Sequence, residues 1–180
     1  MNLWLFIWRM NPPHIGHLSI IDKMIEENDF VLILVGTMKN RDDKNPLEFK
    51  QIKNILSKKY TFNNKLKVVE LKDDSSDLVW VFSIYKILYE IFQWITTINF
   101  YWWDFSNDSA YRVLSENKNH LMSYDLNFIE KPRKDSFVNF DRERYEISAT
   151  NLRKALRLWK FDLASKFCDY KMFEEIKKYF

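Results

Sequence analysis

The chain has 180 residues, with 28 Lys and Arg against 25 Asp and Glu, a formal net charge of +3 and one cysteine. That length suits a single domain, residues 1–180, which buries about two-thirds of its unfolded surface without cross-links. A lone Cys168 excludes an internal disulfide, the dispersed charge argues against a nucleic-acid face, and the lack of a long apolar run or a signal-like start argues for a cytoplasmic protein with no membrane span.

Residues 2–7 and 30–36 (FVLILVG) are apolar runs of buried-strand length, the second leaving through Gly36-Thr37. Between them, residues 15–27 place Leu18, Ile21, Met24 and Ile25 on one helical face, which makes a βαβ unit. A polar loop follows at 38–44. Pro46 then sits near the start of a helix carrying Ile52, Ile55 and Leu56, and residues 66–71 (LKVVEL) read as a third strand. The alternation continues with a loop at 72–77, an apolar helix at 79–92, a strand at 98–101, a helix around 110–114 and a short strand at 127–130. Residues 133–146 are charged and irregular; Ser148 or Thr150 caps a helix running through Leu158, and a last helix lies near 171–178. Strands alternating with helices predict an α/β fold, a doubly wound, Rossmann-like and mostly parallel sheet flanked by helices.

In such sheets ligands bind beyond the carboxyl ends of the strands, so the loop after the first strand is the expected place for chemistry. His14 and His17 stand there, at i and i+3 of the first turn of the helix, beside backbone N–H groups and the positive end of the helix dipole. Gly16 between them leaves room for a ligand, and Pro12-Pro13 fix the approach of the chain. That is an anion site, and phosphate is the expected anion.

The run Arg9-x-Asn11-Pro12-x-His14-x-Gly16-His17 resembles the H-x-G-H motif of the nucleotidyltransferase superfamily. A distal run, Glu146-Ile147-Ser148-Ala149-Thr150-Asn151-Leu152-Arg153, resembles that superfamily's I-S-x-T-x-x-R motif; physically, hydroxyls at a helix start and an arginine one turn in suit a polyphosphate. Within the superfamily the chain is most similar to the archaeal-type nicotinamide-nucleotide adenylyltransferases, whose opening G-L-F-x-G-R-F-Q-P-x-H-x-G-H resembles residues 4–17. Gly36-Thr37 with Asn45-Pro46-Leu47, and Asp73 with Trp80, resemble later segments of that group. The sequence departs from it at Gln51-Ile52, where the group has an acidic residue and an arginine. His14-Ile15-Gly16-His17 also matches the class I aminoacyl-tRNA synthetase string, but the chain has no K-M-S-K-S-like loop and no room for a tRNA-binding domain.

The resemblance implies transfer of AMP from ATP to nicotinamide mononucleotide, giving NAD and pyrophosphate, with Mg2+ accompanying ATP and no metal ligand identified. It implies that His14 and His17 hold the α-phosphate and that Arg153, with Ser148 and Thr150, grips the departing phosphates. It further implies that Arg9 and Asn11 line the phosphate and ribose, and that Trp80 stacks on the nicotinamide ring. Trp8, Asp104 and Asn107 stand near the same site. Homo-oligomers are known in the resembled group, but no interface is marked here. The alternatives are another transferase of the superfamily, taking nicotinate mononucleotide, pantetheine phosphate, FMN or a CTP-dependent alcohol phosphate, or a catalytically silent nucleotide-binding homologue.

Composition raises a separate question. An ordinary chain of this length carries roughly 13 glycines; this one has two, against seven tryptophans. Trp4 and Trp8 fall where the resembled pattern has glycine, Trp102-Trp103 occupy a strand exit, and Trp159 sits at a helix C-cap position that favours glycine. One substitution direction suggests one cause: a source that reads the UGA codon as glycine, translated here as tryptophan. Trp80 and Trp94 need no such account. The competing explanation is a divergent homologue with a tryptophan-rich core.

Overall fold

A computed structural model describes residues 2–61, 63–102, 108–130 and 148–180. Trp103, Asp104, Asn107, the irregular 133–146 stretch and the Glu146-Ile147 start of the distal motif lie outside the described residues. The chain alternates through β1 (Asn2–Trp8), α1 (Ile15–Glu27), β2 (Phe30–Thr37), α2 (Phe49–Tyr60), β3 (Leu66–Lys72), α3 (Asp77–Ile91), β4 (Thr97–Trp102), α4 (Ser109–Glu116) and β5 (Asp125–Glu130). It then ends in α5 (Ala149–Arg157), α6 (Phe161–Ser165) and α7 (Tyr170–Ile176).

Among the described residues, five strands pair in parallel in the order β3-β2-β1-β4-β5. This is the doubly wound arrangement expected from the alternation, with the order reversing between β1 and β4. Both faces are covered, which is why β1 and β2 read as continuous apolar runs rather than as alternating ones. On one face α1, α2 and the carboxyl-terminal helices pack over Phe6, Ile33 and Tyr101. On the other, α3 and α4 pack over Leu5, Leu34 and Phe100. No helix among the described residues is long and apolar enough to cross a membrane.

Element ends differ from the sequence reading by one or two residues, and α6 is an addition to it. That helix has five residues, and its N-cap Lys160 makes no side-chain cap bond, so neither periodicity nor a start signal marks it. The end of α5 is more informative. Trp159 N donates to Leu156 O at 3.0 Å and Lys160 N to Ala155 O at 2.9 Å, the paired bonds of a Schellman ending. Trp159 adopts φ 56, the left-handed region where glycine is ordinary and a side chain costs about 1–2 kcal/mol. Its indole is 72% exposed and meets the edge of the Phe161 ring at 5.6 Å between centroids, a surface contact set against that strain.

Polar burial follows partners. Cys168 is a buried core thiol whose surroundings push its pKa up to about 12, as expected for an inert cysteine. Glu175, buried between α2 and α7, accepts bonds from Asn54 Nδ2 at 2.6 Å, Lys178 Nζ at 2.6 Å and Tyr179 Oη at 3.0 Å. Lys58 Nζ stands 3.4 Å away. The hydrogen bond from Lys178 leads the causes that hold this carboxyl below its usual pKa. A lowered carboxyl stabilises the fold above its unfolded pKa of roughly 4.3, and the benefit disappears as pH falls through the folded value. Glu175→Gln should therefore lower stability at pH 7 by about 1–3 kcal/mol. In chemical denaturation, its deficit relative to the parent should shrink once the pH drops below about 4.

Candidate active site

The loop leaving β1 is held from three directions. Asn11 Nδ2 donates to Leu47 O at 2.9 Å, and Leu47 N donates to Asn11 Oδ1 at 2.9 Å, which fastens this loop to the approach to α2. Asn11 O accepts Arg153 Nη1 of α5 at 2.6 Å. Ile15 N donates to Phe167 O at 2.8 Å, beyond α6. Within the loop Met10, fully buried, is bent to φ 48. Non-glycine residues adopt that conformation where the surroundings dictate it, often at functional sites.

His14 and His17 close the start of α1 on each other. His14 Nδ1 accepts from Gly16 N at 3.2 Å, and His17 Nδ1 accepts from His14 N at 3.2 Å. His17 N returns to His14 O at 2.8 Å. The four orphan N–H groups of a helix start are those of residues 14–17, and here all four have partners inside the protein. This corrects the expectation of open backbone donors beside the histidines. A ring nitrogen that accepts a bond carries no proton, so each imidazole carries its N–H on Nε2. The rings stand 3.8 Å apart between centroids, tilted by 34°. This helix start thus presents two neighbouring imidazoles, with the helix dipole behind them.

Arg153 is 8% exposed, and its hydrogen bonds go to neutral oxygens: the Asn11 carbonyl and Thr150 Oγ1, the latter at 3.0 Å. Burial, then the nearby Arg157 charge, lowers its pKa, while Asp42 acts in the opposite sense. Among the described residues no carboxylate forms an ion pair with it, a costly state for a buried cation and one that an anionic ligand relieves. Ser148 Oγ accepts Asn151 N at 3.1 Å and caps α5, and its hydroxyl proton remains a donor, as does that of Thr150. The distal motif thus meets the first loop at one point, three residues before the histidine pair.

At the carboxyl edge of the sheet lies a cavity of about 530 Å³, lined by Trp8 at the end of β1, Arg9 of the first loop, Gly36, Asp73, and Trp80 of α3. Asp74, Asp77, Asp108 and Arg112 complete its charged lining. Arg9 Nη2 meets Asp73 Oδ2 at 2.8 Å, an ion pair bridging the exits of β1 and β3. Trp8 lines the cavity and also sets its ring against Phe6 and His17, both at 5.7 Å between centroids. A second cavity of about 550 Å³, on the far side of Gly36, has Asn11, Lys39, Arg41 and Glu70 on its walls. Neither cavity is lined by His14 or His17.

The structure therefore brings His14, His17, Arg153, Asn11 and Thr150 around one loop and sets Trp8, Arg9 and Trp80 around the first cavity. Asn11 differs from its expected role, since both ends of its amide are spent on Leu47. Asp77, Asp108 and Arg112 were missed; the signal for Asp108 is its place as the cap of α4, where Oδ1 accepts Ala110 N at 2.9 Å. Among the described residues no group of three or more His, Cys, Asp or Glu is arranged to hold a metal ion.

No family model and no curated protein matches the sequence. Solved structures do. A bifunctional NMN adenylyltransferase/ADP ribose pyrophosphatase from Francisella tularensis aligns over 98% of this chain and 52% of its own, with 19% identity and a TM-score of 0.64. NadR protein in complex with NR aligns over 88% of this chain and 43% of its own, with 18% identity and a TM-score of 0.65. The chain thus spans about half the length of these two proteins. Plasmodium falciparum nicotinic acid mononucleotide adenylyltransferase aligns over 99% of this chain and 95% of its own, with 19% identity and a TM-score of 0.61. In architecture, the chain has the α/β fold shared by these adenylyltransferases.

Proposed function

We propose that this chain is a nucleotidyltransferase that moves AMP from ATP to nicotinamide mononucleotide, releasing NAD and pyrophosphate. The observation that carries the reading is the buried Arg153 guanidinium, bound to neutral oxygens and tied to the carbonyl of Asn11 just ahead of two imidazoles that donate through Nε2. A polyphosphate fits that donor set and supplies the missing negative charge. The adenylyltransferase fold supports it.

An oxygen of the acceptor's phosphate attacks the α-phosphorus of ATP, and the bond from that phosphorus to the oxygen bridging to the β-phosphorus breaks. No proton has to leave the nucleophile, which is already an anion. The protein's task is alignment and neutralisation of charge, the usual division of labour in phosphoryl-type transfer. His14 and His17 donate to the α-phosphate oxygens as charge builds there. Arg153, with the hydroxyls of Ser148 and Thr150, takes the charge that departs with pyrophosphate. Arg9 stands at the edge of the cavity for the acceptor's phosphate, and Trp80 offers a ring face to the base. A divalent cation such as Mg2+ would accompany ATP and supply further neutralisation of phosphate charge; a further structure of the Francisella enzyme is complexed with AMP and a Mn ion. Asp104 and Asn107 stay as sequence-based proposals for the same site, and cytoplasmic location and homo-oligomer formation stay as expectations.

The cavity lining favours the amide acceptor. It holds Asp73, Asp74, Asp77 and Asp108 against Arg9 and Arg112. That surplus of negative charge suits the pyridinium ring of nicotinamide mononucleotide and opposes the extra carboxylate of the nicotinate form. Measured kcat/KM should be at least tenfold higher with nicotinamide mononucleotide than with nicotinate mononucleotide, and the reverse preference would reassign the acceptor.

Two substitutions test the donors. His17→Ala should lower kcat by about 10²–10³, the cost of one charge-stabilising donor, while near-native circular dichroism is retained. Arg153→Lys keeps a cation and loses the two-directional fork, so pyrophosphate release should fall by at least tenfold. Unchanged turnover in both would remove this loop from the mechanism.

A further inference from the structure

Four of the five tryptophans that sit in glycine-like sequence positions are described, and each carries one feature at odds with its place, although Trp4 packs on Tyr101 and Trp102 on Phe100 and Tyr111. Trp159 holds a left-handed backbone inside a Schellman ending, where the two hydrogen bonds dictate the conformation, and its mostly exposed indole has an edge contact with Phe161 at the surface. Trp4 and Trp102 bury their indole Nε1–H with no acceptor, and these are the buried unpartnered side-chain polar atoms among the described residues. Buried polar groups are nearly always bonded, so two orphans of one residue type call for a common explanation. Trp8 lines the 530 Å³ cavity, and its ring centroid stands 5.7 Å from that of His17, a residue outside the cavity lining. Trp80 and Trp94, which lie at positions with no glycine signal, show neither a left-handed backbone nor an orphaned donor. The whole chain still has two glycines.

We infer that residues 4, 8, 102 and 159 are glycine in the protein as its source makes it, inserted at UGA codons, and that a glycine at position 8 joins the cavity to the imidazoles. The three structural signs are independent of one another. A left-handed backbone, a pair of unmet hydrogen bonds and an indole set between cavity and imidazole have no shared cause in packing, but glycine relieves all three. At position 159 glycine takes the left-handed conformation without a Cβ penalty. At positions 4 and 102 it removes the donor that has no partner. At position 8 it lets a triphosphate held by His14, His17 and Arg153 lie in continuity with the acceptor cavity; this last step rests on the adenylyl-transfer reading above.

Peptide mass spectrometry on the protein purified from its source tests the identities directly. Glycine masses at 4, 8, 102 and 159 are expected, and tryptophan masses there overturn the inference. Two recombinant comparisons stand beside it. Trp159→Gly should raise Tm by about 2–4 °C, the shift for relief of about 1 kcal/mol in a chain of this size, whereas a lower Tm would mean that the indole belongs there. Titration calorimetry with ATP and no acceptor should give at least tenfold tighter binding to the Trp8→Gly chain than to the tryptophan form. Equal affinities would overturn the step at position 8. These readouts need no turnover: tighter ATP binding without dinucleotide formation from any acceptor would sink the adenylyl-transfer reading and leave the glycine assignment standing.

Discussion

Two histidines each spend one nitrogen on the backbone and carry a proton on the other. His14 and His17 supply the hydrogen bonds that an N-cap serine and a capping-box glutamate provide elsewhere, and in doing so fix their own tautomers. Helix initiation and the fixing of both tautomers are therefore one interaction, and the proposed anion recognition builds on it. An imidazole is unusual in offering an acceptor and a donor on one rigid ring; a carboxylate at either position would close the helix equally well and repel a phosphate. The rigidity also matters for catalysis, because donors held by the fold do not reorganise as charge develops.

Everything else near the site serves to hold that helix start in place. Asn11 reaches Leu47, 36 residues onward, and its carbonyl takes Arg153, 142 residues onward. Arg157, one turn further along α5, grips Asp43 O at 2.9 Å, so the same helix also braces the loop beyond β2. The sheet order puts these parts together: reversal between β1 and β4 opens the crevice, and the carboxyl-terminal helices fold back over the α1 side. The opposite side of the crevice is different in character, acidic and lined by the starts of α3 and α4. In the proposed reaction a triphosphate and a pyridinium ring place opposite demands on electrostatics, which the two sides would divide between them.

The fold was legible because its strands are buried on both faces and therefore appear as unbroken apolar runs, each followed by a helix-period pattern. α6 was not, since five residues carry no period. Within the site, the residue types and order pointed to His14, His17 and Arg153, because chemistry of that kind is written in short local motifs. What stayed hidden is non-local. The Arg9–Asp73 pair spans 64 residues and the Asn11–Leu47 clamp 36, and nothing in either neighbourhood names the partner. The use of the first-turn amides was misjudged for another reason: histidine is both acceptor and donor, and sequence cannot say which nitrogen faces the backbone. The excess of tryptophan was visible in composition, while its cost appears only once backbone angles and buried donors are known.

The bond from Ile15 to Phe167 O joins the start of the first helix to a point 13 residues from the end of the chain. A ribosome delivers residue 15 long before residue 167. Until then the amide of Ile15 has no acceptor and Asn11 has no guanidinium to hold its carbonyl. The five strands can assemble during synthesis, but the loop ahead of α1 acquires these ties only once the helices that follow β5 have folded back onto it.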